Sequence, residues 1–148
     1  HPGLDLSYAV DFELPVGTEV LASRNGIVKA VWKVREELYK GVDLDEGVET
    51  PATFVVIEHE DSTQSVYSHL DPSALNVHQG QMIYRHQILG LLGENGWQPM
   101  QKPVLHFHAC RWMDMENGMR PVKRNISLPL DFAEYAGPLE HSELFEDY

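Results

Sequence analysis

The stretch TFVVIEHEDSTQSVYSHL, residues Thr53 to Leu70, decides the fold class of this chain. It holds two runs rich in β-branched and aromatic residues, Thr53 to His59 and Gln64 to Leu70, separated by the polar segment EDST. Runs of this composition on either side of a polar turn are typical of paired antiparallel strands. The sequence therefore predicts a β-hairpin here.

Upstream of this hairpin, PVGTEVLAS (Pro15 to Ser23) leads into NGIVKAVWKV (Asn25 to Val34). The Asn25-Gly26 dipeptide between two β-rich runs is a strong signal for a second hairpin. Downstream, Asn76 to Gly96 repeats short apolar pairs around glycines, which suits tight turns in a compact β core. The pattern predicts short strands joined by turns, with little helix.

KPVLHFHACRW, residues Lys102 to Trp112, reads as a further strand. Residues of one parity share a face of a strand, so Val104, His106 and His108 should point the same way. Beyond this strand we expect irregular chain, with Pro121 to Phe132 as a candidate edge strand. No internal repeat suggests a second unit.

Length and pattern predict one domain over residues 1–148. We expect its core at about 1–112, an insertion loop at about 34–52 with one helical turn in REELYK, and an irregular acidic tail at about 113–148. The chain begins at a candidate metal ligand, His1, so we expect it to be a trimmed or mature fragment.

Charge and composition exclude several classes of function. The chain carries 23 acidic against 11 basic side chains, a formal net charge of −12. Nucleic acids and anionic membrane surfaces both need basic patches, so neither is an expected partner. No apolar run approaches ~18 residues, which predicts no transmembrane segment in this chain. Cys110 is the only cysteine, which excludes an intrachain disulfide.

Histidine and aspartate side chains occur in three parts of the chain that could meet at one metal ion. In chain order they are His1, Asp11, His69 (in YSHL), His106 and His108 (both in VLHFHAC). Zn²⁺ takes imidazole nitrogens and carboxylate oxygens, and a catalytic zinc site uses three protein ligands and leaves one position open. The residue types therefore predict a zinc site.

Taken together, these segments resemble the LytM/lysostaphin-type zinc endopeptidases of the bacterial cell wall. The matching pieces follow the family's order and are Val10 to Val28, Val55 to Leu70, Gly80 to Gly96 and Val104 to Ala109. The resemblance implies a mostly β fold, a compact antiparallel β-sheet or sandwich-like domain of the duplicated hybrid motif type with a zinc site in a groove. It also implies hydrolysis of peptide bonds in peptidoglycan stems or cross-bridges, and an extracytoplasmic location (periplasmic, cell-wall associated or secreted).

The same resemblance implies that the zinc ligands are His1, Asp11 and His106. Asp11 precedes the PVGT segment as the family's aspartate does, whereas Asp5 of HPGLD is the alternative without that context. Aligning LHF with the family's HLHF motif puts His106 at the ligand position. The other register makes His108 the ligand, and the sequence leaves both registers open.

The resemblance assigns catalytic work to His69, with His108 in support. In the preferred register Val104 stands where the family has a further catalytic histidine. Valine can neither donate a hydrogen bond nor move a proton, and losing one transition-state donor costs about 10²–10³ in rate. The alternative is therefore a catalytically impaired zinc-binding LytM-like domain that acts as a cell-wall or protein-binding module. A carrier domain of the biotinyl/lipoyl or sugar-phosphotransfer kind is disfavoured, because no lysine occupies a carrier turn.

Overall fold

The computed structural model describes residues 6–34, 52–94, 102–117 and 120–130, and these described residues form strands and turns without a helix. None of them forms a helix long and apolar enough to cross a membrane. The strands, in chain order, are β1 (Val10–Glu13), β2 (Glu19–Leu21), β3 (Gly26–Trp32), β4 (Phe54–Glu58), β5 (Gln64–Ser68), β6 (Met82–Ile83), β7 (Ile88–Leu91), β8 (Val104–Asn117) and β9 (Arg120–Leu128).

Two antiparallel sheets make up the fold. The larger has seven strands in the order β1-β8-β5-β4-β3-β6, with β9 on β8, and the smaller pairs β2 with β7. The predicted hairpin of β4 and β5 is confirmed, with Phe54 opposite Ser68 and Glu58 opposite Gln64. The predicted fold class, a mostly β domain built from antiparallel sheets, is also confirmed.

The larger sheet buries one face against the smaller sheet. Alternate residues of β4 and β5 enter the core, where Val55, Ile57 and Tyr67 are each at most 2% exposed. Fully burying an aliphatic side chain of this size stabilises the fold by about 1.5–3 kcal/mol. The core consists of Val20, Ala22, Val28, Val55, Ile57, Tyr67, Leu70, Val77, Ile83, Leu89 and Leu92.

The opposite face of the larger sheet carries three of the predicted site residues, Asp11, His106 and His108. We call it the outer face, and Asp11, Phe54, Ser68 and His106 define it through their direct cross-strand pairing. Cross-strand partners share a face, and their chain neighbours point the other way, into the core.

The hairpin predicted at Asn25-Gly26 is wrong. β2 pairs with β7, and β3 pairs with β4 and β6. An Asn-Gly hairpin turn needs positive φ at both residues, and neither residue has it. The Asn25 side-chain oxygen instead accepts a 2.7 Å hydrogen bond from the Arg85 N–H. Gly26 is required because a Cβ there would overlap the Glu58 carbonyl oxygen, so glycine lets β3 approach β4 closely.

The prediction of irregular chain after Trp112 is also wrong over residues 113–117 and 120–128. β8 continues to Asn117 and pairs with β9, which covers the predicted edge strand from Pro121 to Leu128. β5 covers β8 only as far as Cys110, so Trp112 and Met113 beyond it are 44% and 45% exposed. A two-stranded ribbon exposed in this way needs no alternation of apolar and polar residues. For this reason the sequence pattern did not predict the extension of β8 beyond Trp112. The predicted insertion loop and the acidic end of the chain lie outside the described residues, at 35–51 and 131–148.

Candidate functional site

Asp11 and His106 form the centre of the site. The β1–β8 register places them directly opposite each other on the outer face. The Asp11 Oδ1 atom lies 2.9 Å from the His106 Nδ1 atom, and the two side chains are 31% and 21% exposed. A carboxylate oxygen and an imidazole nitrogen therefore converge on one point that solvent can reach.

His69 lies beside this pair, and the backbone holds it in an unusual conformation. β5 ends at Ser68, two residues before the end of the predicted strand at Leu70, and His69 has φ +73°. Its ring centroid lies 6.4 Å from that of His106, and the two rings are nearly perpendicular. A left-handed conformation in a residue with a side chain costs about 1–3 kcal/mol, persists only where the surroundings enforce it, and is frequent at functional sites.

Thr53 helps to enforce that conformation, and sequence reasoning missed it. Its carbonyl oxygen accepts hydrogen bonds from the N–H groups of His69 (3.0 Å) and Leu70 (3.1 Å). Its hydroxyl accepts a 3.0 Å hydrogen bond from the Val34 N–H, and the whole residue is buried. On the other side, the His69 carbonyl accepts a 2.8 Å bond from the Gly93 N–H. The sequence offered one weak signal, a hydroxyl residue immediately before the β4 strand.

His108 and Val104 flank His106 along the outer face of β8. Each is two residues away along the strand, about 6.6 Å at the usual rise. The His108 ring meets the His106 ring edge-on, with centroids 5.5 Å apart. His108 is 4% exposed and Val104 is 5% exposed, so both are buried.

The structure brings together four of the five predicted site residues, namely Asp11, His69, His106 and His108. His1 and its neighbour Asp5 lie outside the described residues, so the full ligand set remains a prediction. Within the described ranges, no group of three or more His, Cys, Asp or Glu side chains is arranged to hold a metal ion.

The Asp11–His106 pair nevertheless fits the requirements of zinc. Bonds of about 2.0–2.2 Å at tetrahedral angles place two ligand atoms about 3.3 Å apart. The observed 2.9 Å separation differs from this by a few tenths of an ångström. The pair supplies an oxygen and a nitrogen donor, both of the preferred kind, and a complete protein shell requires one more.

His59, the last residue of the predicted strand that starts at Thr53, lies in a separate buried network. Its Nδ1 atom is 2.7 Å from the Asn25 carbonyl oxygen, and its Nε2 atom is 2.6 Å from the Ser65 hydroxyl. Burial lowers the pKa of His59 below its ordinary value of 6.5, since desolvation disfavours the charged ring. His59 is therefore a hydrogen-bonding part of the core.

Comparison with known proteins bears on this geometry. The model of peptidase family M23 matches residues 5–121. No curated protein shows a significant match.

Among solved structures, the catalytic domain of the antimicrobial peptidase lysostaphin from Staphylococcus simulans is similar in fold (24% identity, TM-score 0.53, 69% of this chain and 65% of that one). A zinc-containing peptidase from Vibrio cholerae is 28% identical (TM-score 0.53, 76% of this chain and 28% of that one). A mutant catalytic domain of EnpA, a prophage-encoded M23 protein from Enterococcus faecalis, is 26% identical (TM-score 0.52, 75% and 74%). The chain thus spans less than two thirds of the length of the first two.

Proposed function

The chain belongs to peptidase family M23, and from this premise we propose that it is a zinc-dependent endopeptidase that hydrolyses peptide bonds in bacterial cell-wall peptidoglycan. The family membership confirms the predicted resemblance to LytM/lysostaphin-type peptidases. The observation that carries the proposal is the contact between Asp11 and His106 on a solvent-accessible part of the outer face, with His69 beside it. The proposed substrate, a peptidoglycan peptide or cross-bridge, implies an extracytoplasmic location.

In this proposal His1, Asp11 and His106 hold the metal. Zinc bound there would supply Lewis acidity toward a peptide carbonyl and would lower the pKa of a water molecule to about 7. The solved zinc-containing peptidase supports this choice of metal, since it is similar to the chain over 76% of the chain's length.

His69 is the proposed catalytic histidine. An imidazole can accept the proton of the attacking water or donate a hydrogen bond to the oxygen on which negative charge develops. Thr53 and Gly93 fix the backbone of His69 on both sides, so the segment that carries the ring is held in place. His108 packs edge-on against the His106 ring, and we assign it to holding that ring in place, because its burial suits positioning.

A second candidate function follows from Val104. It lies on the outer face beside His106, where the resemblance calls for a catalytic histidine. A domain with a metal site and without one transition-state donor would bind cell-wall peptides and cleave them slowly. This second candidate is the catalytically impaired domain that acts as a binding module.

Metal content and turnover together test the proposal. We expect the wild type to hold one zinc per chain by mass spectrometry and to release peptide fragments from purified peptidoglycan. Asp11→Ala and His106→Ala should lose both properties, because each removes one of three protein donors. The matched control is His78→Ala, which removes an exposed histidine, and it should retain both. Full zinc content in Asp11→Ala would contradict the ligand assignment.

A further inference from the structure

The outer face continues away from His106 as a straight row of cross-strand partners. His106 on β8 lies opposite Ser68 on β5, and Ser68 lies opposite Phe54 on β4. Phe54 in turn lies opposite Trp32 on β3. Four adjacent strands therefore contribute one residue each to a single line, which we call the cross-strand row.

The far end of this row is apolar and accessible. Trp32 is 54% exposed and Phe54 is partly exposed. Phe54 belongs to the central strand β4, whereas Trp32 lies on β3 beyond Gly26 and Ile27, the residues that pair with β6. On the core face of the same strands, Val55 and Ile57 are fully buried. An indole with about half its surface in water, next to a second aromatic ring, is a surface that gains free energy when an apolar group covers it.

Charge around this end of the row also favours an apolar partner. Lys29 and Glu58 lie toward the other ends of β3 and β4, three residues from Trp32 and four residues from Phe54. They neutralise each other there, with 3.6 Å between the Lys29 Nζ atom and the Glu58 Oε2 atom. Val56 and Ala30, which pair with each other in the adjacent row, add further apolar surface. The surface thus selects for shape and apolarity, with no fixed charge at Trp32 or Phe54.

Spacing connects this surface to the reacting bond. Neighbouring strands lie about 4.8 Å apart, so three strand spacings separate His106 from Trp32 by about 14 Å. An extended peptide advances about 3.3 Å per residue. A peptide that has its cleaved bond at His106 and follows the row therefore brings a residue about four positions away onto Trp32.

We propose that Trp32 and Phe54 form a specificity subsite for an apolar side chain of the peptide substrate, about four residues from the cleaved bond. This inference rests on the proposed function, because it places the cleaved bond beside Asp11 and His106. The occupant is a distant part of the same substrate molecule, because the row runs without a break from the proposed centre to Trp32. The subsite sets which long substrates bind well and leaves the chemical step unchanged.

A pair of peptide substrates tests the subsite. Two synthetic peptides are built around the same central peptide bond, which is the mapped wild-type cleavage point or, if the wild type cleaves no peptidoglycan, the middle bond of a peptidoglycan stem peptide. The short one ends two residues from the bond on each side, and the long one carries leucine four residues from the bond on each side. We expect Trp32→Ala to raise KM for the long peptide about tenfold, equivalent to ~1.4 kcal/mol. The values of kcat for both peptides, and of KM for the short one, should not change.

Two further variants serve as controls. Trp32→Phe keeps an aromatic surface and should recover most of the affinity for the long peptide. Trp112→Ala removes a second half-exposed tryptophan, which lies on β8. Trp112 is six residues along that strand from His106 and does not belong to the cross-strand row. It should leave both peptides unaffected.

Calorimetric titration of the same peptides separates this inference from the proposed function. If the wild type cleaves neither peptide yet binds the long one, and Trp32→Ala alone weakens that binding, the subsite stands while the proposed activity fails. An equal loss for short and long peptides would overturn the subsite, as would a stronger effect of Trp112→Ala. Loss of a wild-type dimer in Trp32→Ala, with unchanged peptide binding, would assign the surface to self-association and would also overturn it.

Discussion

Replacing Val104 by histidine probes the catalytic machinery most directly. Val104 lies on the outer face two residues from His106, and its cross-strand partner on β1 is Glu13. The proposed function treats this position as one where a transition-state donor is missing. We expect Val104→His to raise kcat/KM for a peptidoglycan peptide, with zinc content unchanged.

The magnitude comes from two opposing effects. One added transition-state donor is worth about 2.7–4 kcal/mol, or roughly 10²–10³ in rate. Against this, Val104 is 5% exposed, and fully burying a valine stabilises a protein by about 1.5–3 kcal/mol. Much of that stability is lost when a polar ring replaces the side chain. The Glu13 side chain directly opposite is 49% exposed, which gives the new ring a carboxylate partner at the surface. We therefore expect a gain in rate of about 10²-fold, accompanied by a lower midpoint of thermal unfolding.

The assay is peptide release followed by liquid chromatography, well below the unfolding temperature of each variant. Val104→Leu controls for packing and should not gain activity. Val104→Gln supplies a hydrogen-bond donor that cannot transfer a proton at neutral pH, so a partial gain there would identify oxyanion stabilisation as the missing function. A wild type that already cleaves rapidly, together with an inert Val104→His, would refute the reasoning and favour the register in which His106 is catalytic and His108 is the ligand. Zinc binding without cleavage in both proteins would favour the binding module.

Two predictions concern pH. Ligating imidazoles must be deprotonated, so zinc affinity measured by chelator competition should fall as pH drops through about 6.5, and a flat profile from about pH 8 to 5 would argue against histidine ligands. Because burial lowers the pKa of His59, the neutral ring contributes stability above its unfolded pKa of 6.5, and that contribution is lost as pH falls from there through the folded pKa. The stability advantage of wild type over His59→Leu in urea unfolding should therefore shrink between about pH 7.5 and 5.5; His78→Ala serves as the control, and a constant difference would contradict this account.

Sequence reasoning found most of the fold because burial imposes a pattern on central strands. β4 and β5 are rich in β-branched and aromatic residues on either side of a polar turn, and this composition was visible in the sequence, although Phe54 to Ile57 are all apolar and do not alternate. The reasoning failed where burial imposes no such pattern. The Asn25-Gly26 signal was misleading because Asn25 and Gly26 make contacts with distant parts of the chain, which no local rule contains. The site residues could be named from their chemistry. The hydrogen bonds from His69 and Leu70 to the Thr53 carbonyl depend on the conformation at the end of β5, and a hydroxyl residue before β4 is only a weak signal for them.

The choice between His106 and His108 shows what sequence periodicity leaves open. Leu105 and Phe107 pack against the core, which turns His106 and His108 both outward. The alternation of faces along a strand therefore cannot decide which of the two histidines is the ligand, since a shift of two residues preserves the face of every side chain. The register between β1 and β8 does distinguish them, because it sets Asp11 opposite His106 at 2.9 Å. This pairing joins strands that are about 95 residues apart in the chain, and it favours His106 as the ligand. In that register Val104 stands at the position of the missing catalytic histidine, so its substitution tests the proposed catalysis.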